Sequence, residues 1–325
     1  MNDEKSAAES DDPAALLCYD VNMKLGIISD IHSNILAFKE CLKKLEAERC
    51  DEYLFLGDFV SDTPYTRETM DYLYEFIDTH TCMLLRGNRE EYMLSQRKVL
   101  KDGPEDQKWI YNSASGNLLY SYELLTEKDL DLFESLPISF VYEKEGYPAI
   151  KCCHGSPESS RELIQLGSDR ARFWLDNISE DYLLCAHTHF PGEYEYNGKH
   201  YMNSGCVGIS INDAGFAQCM MLDSCPDENG EVFWKPAFLK VPYDNHRVVR
   251  DMISSGLLEK APWFINSNIQ ILLTGTDNSA KMVELANKLS EEAGESNRWP
   301  LIKEVYFEEA ARQLGIPDYR KGEII

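Results

Sequence analysis

Between Lys24 and Asn88 the chain repeats one unit: a short apolar run, a polar break, then a segment with helical apolar spacing. The runs are KLGIIS (Lys24 to Ser29), EYLFLGD (Glu52 to Asp58) and TCMLLRGN (Thr81 to Asn88). Apolar runs this short suit strands buried on both faces. Ile35, Leu36, Phe38, Leu42 and Leu45 form the stripe of a helix over Asn34 to Glu48, and a second helix is predicted over Thr66 to Thr79. The resulting β-α-β-α-β order leaves few topologies, and all of them share a parallel layer covered by helices.

Beyond Asn88 the pattern changes. Arg89 to Ser135 reads as mostly helical, broken at Asp102-Gly103-Pro104. SFVYEKEGYPAIKCCHG predicts a hairpin ending at His154, and Arg161 to Asn177 a helix. DYLLCAHTH, KHYMNSG, FAQCMMLD and VFWKPAFLKVPYD predict further strands, whose short connections make this half antiparallel or mixed. From about Asn245 the strand signals stop. Helices are predicted over His246 to Leu258, over Trp263 to Thr274 with Gly275 as C-cap, over Ser279 to Glu292, and near Val305 to Leu314. The expected organisation is a loose or disordered acidic tail (1–22), an α/β domain (23–244) and a helical C-terminal extension (245–325).

The formal net charge is -24, from 56 acidic against 32 basic residues. Such a surface repels phosphate backbones, which argues against nucleic acid as a main partner. Handling phosphate on this chain calls for local positive charge, and metal ions supply it. No apolar run is long enough to span a membrane, and the N-terminus has no basic n-region, so neither an anchor nor a signal peptide is expected. Ten cysteines show no CxxC spacing, which suits reduced, buried thiols and a cytoplasmic protein.

The polar residues that follow the apolar runs carry the chemistry. In order they are Asp30 and His32, Gly57-Asp58, Gly87-Asn88, His154-Gly155, and His187 with His189, so four of the seven histidines sit at strand ends. Asp30 and His32 are two positions apart, which on a strand directs both side chains to one point. That point would be a proton, a metal or a phosphate. Carboxylates, imidazoles and one amide oxygen form a mixed N/O donor set suited to Mn, Fe, Zn or Ni. Seven donors exceed the needs of one ion and match two ions bridged by a shared carboxylate. The adjoining glycines are expected to let the backbone turn sharply and to leave room for a substrate.

DIHSN, GD, GN, HGSP and AHTH resemble, in order and rough spacing, the five motifs of the calcineurin-like metallophosphoesterases. MNSGCVG is similar to the Asn-Pro-Gly-Ser-Val-Gly stretch of small bacterial members, and the resemblance spans roughly Met23 to Tyr243. It implies an α/β fold in which a two-sheet mixed β-sandwich is flanked by helices. It also implies that Asp30, His32 and His189 bind one divalent transition metal, that Asn88, His154 and His187 bind a second, and that Asp58 bridges them. Manganese is the expected metal, with Fe, Zn or Ni as alternatives. The implied reaction is hydrolysis of a small phosphodiester or nucleotide-like substrate by in-line attack of a metal-bridging hydroxide, with Asp58, Asn88, His154 and Arg89 as the catalytic set.

Two positions depart from the family pattern. Ala186 replaces the glycine before the HxH. Arg89 stands where many members have a histidine; arginine keeps its proton, so it cannot act as a general acid. It could hold phosphate oxygens, or pair with Glu90 or Asp30, and its presence favours good leaving groups. Two other readings stand beside the diesterase: a phosphomonoesterase or protein phosphatase, and a non-catalytic scaffold like the retromer subunit related to the family. Asp62 and Tyr65 are further candidates to line the pocket. His80, His200 and His246 are expected to be structural or exposed, and Trp109, Trp263 and Trp299 to be packing residues. The helical tail could cap the pocket, form a homodimer face or only pack on the core.

Overall fold

The three apolar runs pair side by side as parallel strands, and two long strands from late in the chain complete their sheet. The computed structural model describes residues 23–295 and 299–322; the expected acidic tail, 1–22, lies outside them. In chain order the strands are β1 (Lys24–Ile28), β2 (Glu52–Phe55), β3 (Cys82–Leu84), β4 (Ser139–Tyr142), β5 (Ile150–Cys153), β6 (Tyr182–Cys185), β7 (Gly192–Tyr196), β8 (Lys199–Asn203), β9 (Phe216–Pro226) and β10 (Val232–Pro242). One sheet has the order β10-β9-β1-β2-β3 and the other β4-β5-β6-β8-β7. Both are mixed: β9 runs antiparallel to β1, while β5, β6 and β8 are mutually parallel between antiparallel neighbours. This is the two-sheet sandwich that the motifs imply.

The helices are α1 (Ile35–Ala47), α2 (Thr66–Ile77), α3 (Asn88–Asp102), α4 (Gly116–Glu123), α5 (Glu127–Ser135), α6 (Asp169–Asn177), α7 (Asn245–Ser254), α8 (Leu257–Lys260), α9 (Pro262–Thr274), α10 (Ser279–Glu292) and α11 (Glu304–Leu314). Leu25, Ile27 and Leu54 pack with Ile150, Tyr182 and Leu184 between the sheets. Ile28 and Phe55 pack with Phe38, Leu42 and Leu45 of α1 on the other face. Strands buried on both faces therefore account for the unbroken apolar runs. Phe38, Leu42 and Leu45 are fully buried, each contributing roughly 1.5–3 kcal/mol of apolar transfer free energy.

Several boundaries differ from expectation. The helix expected over Arg161 to Asn177 begins only at Asp169, where Ser168 accepts the Ala171 N–H as N-cap. The stretch before it is irregular, with Ile164 buried in the core and a turn closed by Ser168 N–H donating to Gln165 O at 3.1 Å. The helix expected over His246 to Leu258 divides into α7 and α8 at Gly256, whose φ of 79° is left-handed. Strand β7, GEYEY, was not predicted: its glutamates dilute the apolar signal, and its exposure alternates as an edge strand's does. Gly275 does cap α9, with φ 74°.

The tail helices pack on the sandwich rather than beside it. Val248, Met252 and Leu258 share a cluster with Leu36, Tyr65 and Tyr120. Tyr65, a candidate pocket residue by sequence, instead donates to Asp251 Oδ2 at 2.7 Å and ties α2 to α7. No helix among the described residues is long and apolar enough to cross a membrane.

Candidate metal centre

All of the expected site residues leave the ends of β1, β2, β3, β5 and β6, and the loops carrying them are braced by backbone hydrogen bonds. Asp30 N–H donates to Gly57 O at 3.0 Å and His32 N–H to Asp58 O at 3.0 Å. Asn34 caps α1 through Ala37 N–H and also donates to Gly208 O at 2.7 Å. Asn203, at the end of β8, donates to Ala186 O at 2.7 Å and so pins the loop of His187 and His189.

Strand alternation is not what aims Asp30 and His32 together. β1 ends at Ile28, and both residues take left-handed backbone conformations, φ 52° and 48°. Asp58, His187 and His189 do the same, at φ 55°, 65° and 61°. Each such non-glycine residue costs on the order of 1 kcal/mol or more, and such strain gathers where a side chain must point to one place. Of the two purposes expected of the neighbouring glycines, the sharp turn holds at Gly57, whose φ is 83°, and the space serves another end. A Cβ on Gly57 would strike Gly87, and one on Gly87 would strike Asp58 Oδ1. Their missing side chains admit neighbouring loops, not substrate. Gly87→Ala is expected to displace the Asp58 carboxylate and lower activity by at least ~10-fold, with a stability loss of about 1–3 kcal/mol; steady-state kinetics and thermal melting check both.

The seven candidate ligands do converge. His32 Nε2 lies 3.2 Å from His189 Nε2, and His189 Nε2 lies 3.3 Å from Asp30 Oδ1. On the other side, His154 Nε2 lies 3.0 Å from Asn88 Oδ1, and the His154 and His187 rings are 4.9 Å apart. Asp58 Oδ2 stands between, 3.4 Å from His154 Nε2 and 3.9 Å from His32 Nε2. Five of the seven are buried; His187 and His189 are partly exposed at the mouth.

The outer nitrogens fix the inner ones. His154 Nδ1 donates to Leu56 O at 2.7 Å, His189 Nδ1 to Ile209 O at 3.2 Å, and His32 Nδ1 lies 2.7 Å from Asp62 Oδ2. With the protons on Nδ1, three Nε2 lone pairs point inward, as metal-ligating histidines require. Lone pairs 3.2 Å apart repel unless a cation lies between them. Asp30 Oδ1 is buried with no hydrogen-bond partner among the described residues, a second sign of a missing positive charge. Asp30–His32–Asp58 and Asp58–His154–His187 each place ligand atoms within 4.8 Å of one another. The donor set thus fits divalent cations.

The electrostatics agree. Burial alone would raise Asp58, but His154, His32 and Arg89 hold its carboxyl far below the usual range. Burial likewise would lower His154, yet Asp58 and Asp30 lift it to about 9. Partial burial and the neighbouring His154 lower His187 to about 4.

Arg89 does not pair with Glu90 or Asp30. Its Nη2 lies 2.9 Å from Asp62 Oδ2, and its backbone N–H donates to Asp58 Oδ1 at 2.8 Å. Glu90 turns inward and accepts the N–H groups of Gly87, Asp58 and Phe59, each at 2.8 Å. Burial and Asp58 raise its carboxyl to about 7.

Asp62 holds His32 and Arg89 at once, and also accepts from Ser61 Oγ at 3.0 Å and Asn117 Nδ2 at 2.7 Å. Sequence reasoning placed it only as a pocket lining. Its place just after Asp58 was the one available signal. Asp62→Asn is expected to weaken metal retention about 10–100-fold, read by competition with a fluorescent chelator. Cys206, missed entirely, lies under the centre, donating to Asp30 O at 3.2 Å and accepting Ile209 N–H at 3.1 Å. Of the remaining histidines, His80 stacks on Phe76 and His200 on Tyr182, while His246 is exposed.

A model of the calcineurin-like phosphoesterase family matches residues 23–207, a span holding all seven candidate ligands. An uncharacterized protein of Methanocaldococcus jannaschii is 21% identical over 256 residues, covering 74% of this chain and 96% of its own. A hypothetical protein of Pyrococcus horikoshii has the same fold, with TM-score 0.62 and 20% identity over 78% of this chain and 99% of its own. A metallophosphoesterase from Sphaerobacter thermophilus gives TM-score 0.58 and 19% identity over 78% of this chain and all of its own, 100%. With the family model covering more than half its length and the sandwich shared by these structures, the chain belongs to the calcineurin-like phosphoesterases, a family of metal-dependent phosphoesterases.

Proposed function

We propose that this chain is a two-metal phosphodiesterase. The observation that carries the reading is the position of Asp58, whose Oδ2 faces His32 and His154 from between two groups of donors. Asp30, His32 and His189 would hold one cation, Asn88, His154 and His187 the other, and Asp58 would be shared. Bound there, the cations would supply a nucleophile by acidifying coordinated water and would neutralise phosphoryl charge, manganese being the expected ion.

The chain's own contribution is position and charge. Arg89 keeps its proton through the carboxylates of Asp62 and Asp58, which outweigh the effect of burial. Its Nε is buried with no hydrogen-bond partner among the described residues. That donor is available to a phosphoryl oxygen, and Asp62 holds the guanidinium in place. Because Arg89 cannot protonate a departing alkoxide, esters with good leaving groups are favoured. The mouth of the centre, a cavity of about 360 Å3, carries the exposed side chains of Leu163 and Phe190. Apolar groups there suit an organic substituent that stays on phosphorus after the leaving group departs, as in a diester.

Metal analysis with paired assays tests the reading. Chelated protein should be inactive, take up two Mn²⁺ per chain, and then hydrolyse bis(4-nitrophenyl) phosphate in preference to 4-nitrophenyl phosphate. Turnover of the monoester alone would refute the diester assignment. Failure to take up divalent metal would refute the whole reading and leave a scaffold.

A further inference from the structure

The family match ends at residue 207, and the helices beyond it build a second wall beside the metal centre. Helix α10 buries Met282 and Ala286 against Phe307, Ala310 and Ala311. Its residues Ala280, Val283, Glu284, Asn287, Lys288 and Glu291 recur at the three- and four-residue spacing of one helical face. That face lines a cleft of about 750 Å3. The facing wall is Arg89 and Tyr92 of α3 with Asn117 and Leu118 of α4, and Phe264 and Trp299 complete it. Asn88, Arg89, Ser279 and Ala280 line both this cleft and the metal-centre cavity, so the two spaces meet at Arg89. The volume lies within the range of sites that enclose a small organic ligand.

The chemistry of the cleft is specific. Trp299, expected to be a packing residue, is 43% exposed. It is nevertheless held in place: its Nε1–H donates to Ala114 O at 3.0 Å, and its ring packs edge-on against Trp109 at 6.3 Å. Tyr92 also lies against it, with ring centroids 6.1 Å apart, and the part of the held indole that stays exposed is a stacking surface for an arriving ring. The charged groups are Glu284 and Glu291 against Arg89 and Lys288; Arg89 is held by Asp62, and Lys288 sits 3.8 Å from Glu292. Both cations already have carboxylate partners and two further carboxylates line the cleft, which leaves no free positive charge there for a second phosphate. Carboxylate acceptors also match N–H donors on a ring edge.

We propose that this cleft receives one organic group of the phosphoester and selects a planar, uncharged ring of the nucleoside type carrying no further phosphate. The proposal rests on the two-metal reading for the position of phosphorus.

Two esters with the same leaving group isolate the effect: thymidine 5′-(4-nitrophenyl) phosphate and methyl 4-nitrophenyl phosphate. The native protein should favour the thymidine ester by about 10-fold or more in kcat/KM, the scale of one base stacked on an aromatic side chain. Val283→Trp and Glu284→Trp each fill the cleft and should bring the ratio close to unity; thermal melting shows which variants are folded, and the exposed position of Glu284 provides the second if Val283→Trp unfolds. Equal efficiencies in the native protein, or an undiminished ratio in the folded variants, overturns the proposal while the phosphoesterase reading stands. If neither ester is cleaved, that reading fails, and ligand-observed NMR with free thymidine still decides the cleft. Binding to the native chain that is lost in the variants supports it, and absence of binding overturns it.

Discussion

Asp58→Asn is expected to lower phosphodiester hydrolysis by about 10³-fold or more and to reduce bound metal from two ions per chain to at most one. Asp58 and Asp30 are the two carboxylates at the heart of the centre: Asp58 Oδ2 lies 3.4 Å from His154 Nε2 and 3.9 Å from His32 Nε2, while Asp30 Oδ1 lies closest to His189 Nε2, at 3.3 Å, and 3.9 Å from His154 Nε2. An amide keeps its shape but removes the charge that would hold two cations close together. The change leaves its other contact available, since an amide oxygen can still accept the Arg89 N–H. The loops are held by the carboxylate of Glu90 rather than by Asp58, so the fold should persist. Circular dichroism, metal analysis and a diester assay on one preparation make the test. Two ions retained with full activity would sink the assignment.

The second large effect is the pH dependence of metal affinity. In the metal-free protein burial works to lower His154, but Asp58 and Asp30 raise it to about 9. Burial also opposes the charge on His189, which Asp30 nonetheless keeps protonated well above the usual imidazole range. A cation binds only the neutral ring, so at neutral pH each of these histidines must release a proton when metal enters. Affinity should therefore rise with pH, about tenfold per unit for each proton displaced, and level off for His154 above about 9. His187, lowered to about 4, is already neutral and adds no slope. Calorimetry in buffers of different ionisation enthalpy should find one to two protons released per loaded centre near pH 7. A flat profile, or proton uptake, would contradict the arrangement.

The donor groups were legible because each follows an apolar run, and buried strands advertise themselves by composition. What placed them was not. The alternation argument for Asp30 and His32 assumed a strand that stops at Ile28, and left-handed backbone conformations do the aiming instead. Backbone signs of this kind leave little trace in residue type when the residue is not glycine. The partners of Arg89 were misjudged for a related reason. Glu90 is adjacent in sequence but points inward to three N–H groups, whereas Asp62 arrives from another loop. Asp62 and Cys206 illustrate the general limit: residues that orient a centre are chosen by distance in space, and a single sequence records only distance along the chain. The C-terminal helices were read correctly as helices, but their packing partners, and hence the cleft at Arg89, depend on tertiary contacts.

The left-handed conformations at Asp30, His32, Asp58, His187 and His189 have a consequence for the history of such a chain. Each is a place where glycine would relieve the backbone, so loss of chemistry and gain of stability lie in the same direction. A descendant freed from catalysis would drift toward glycine at these sites and melt later than its ancestor. The strained carboxylates and imidazoles are the residues such a descendant would shed first.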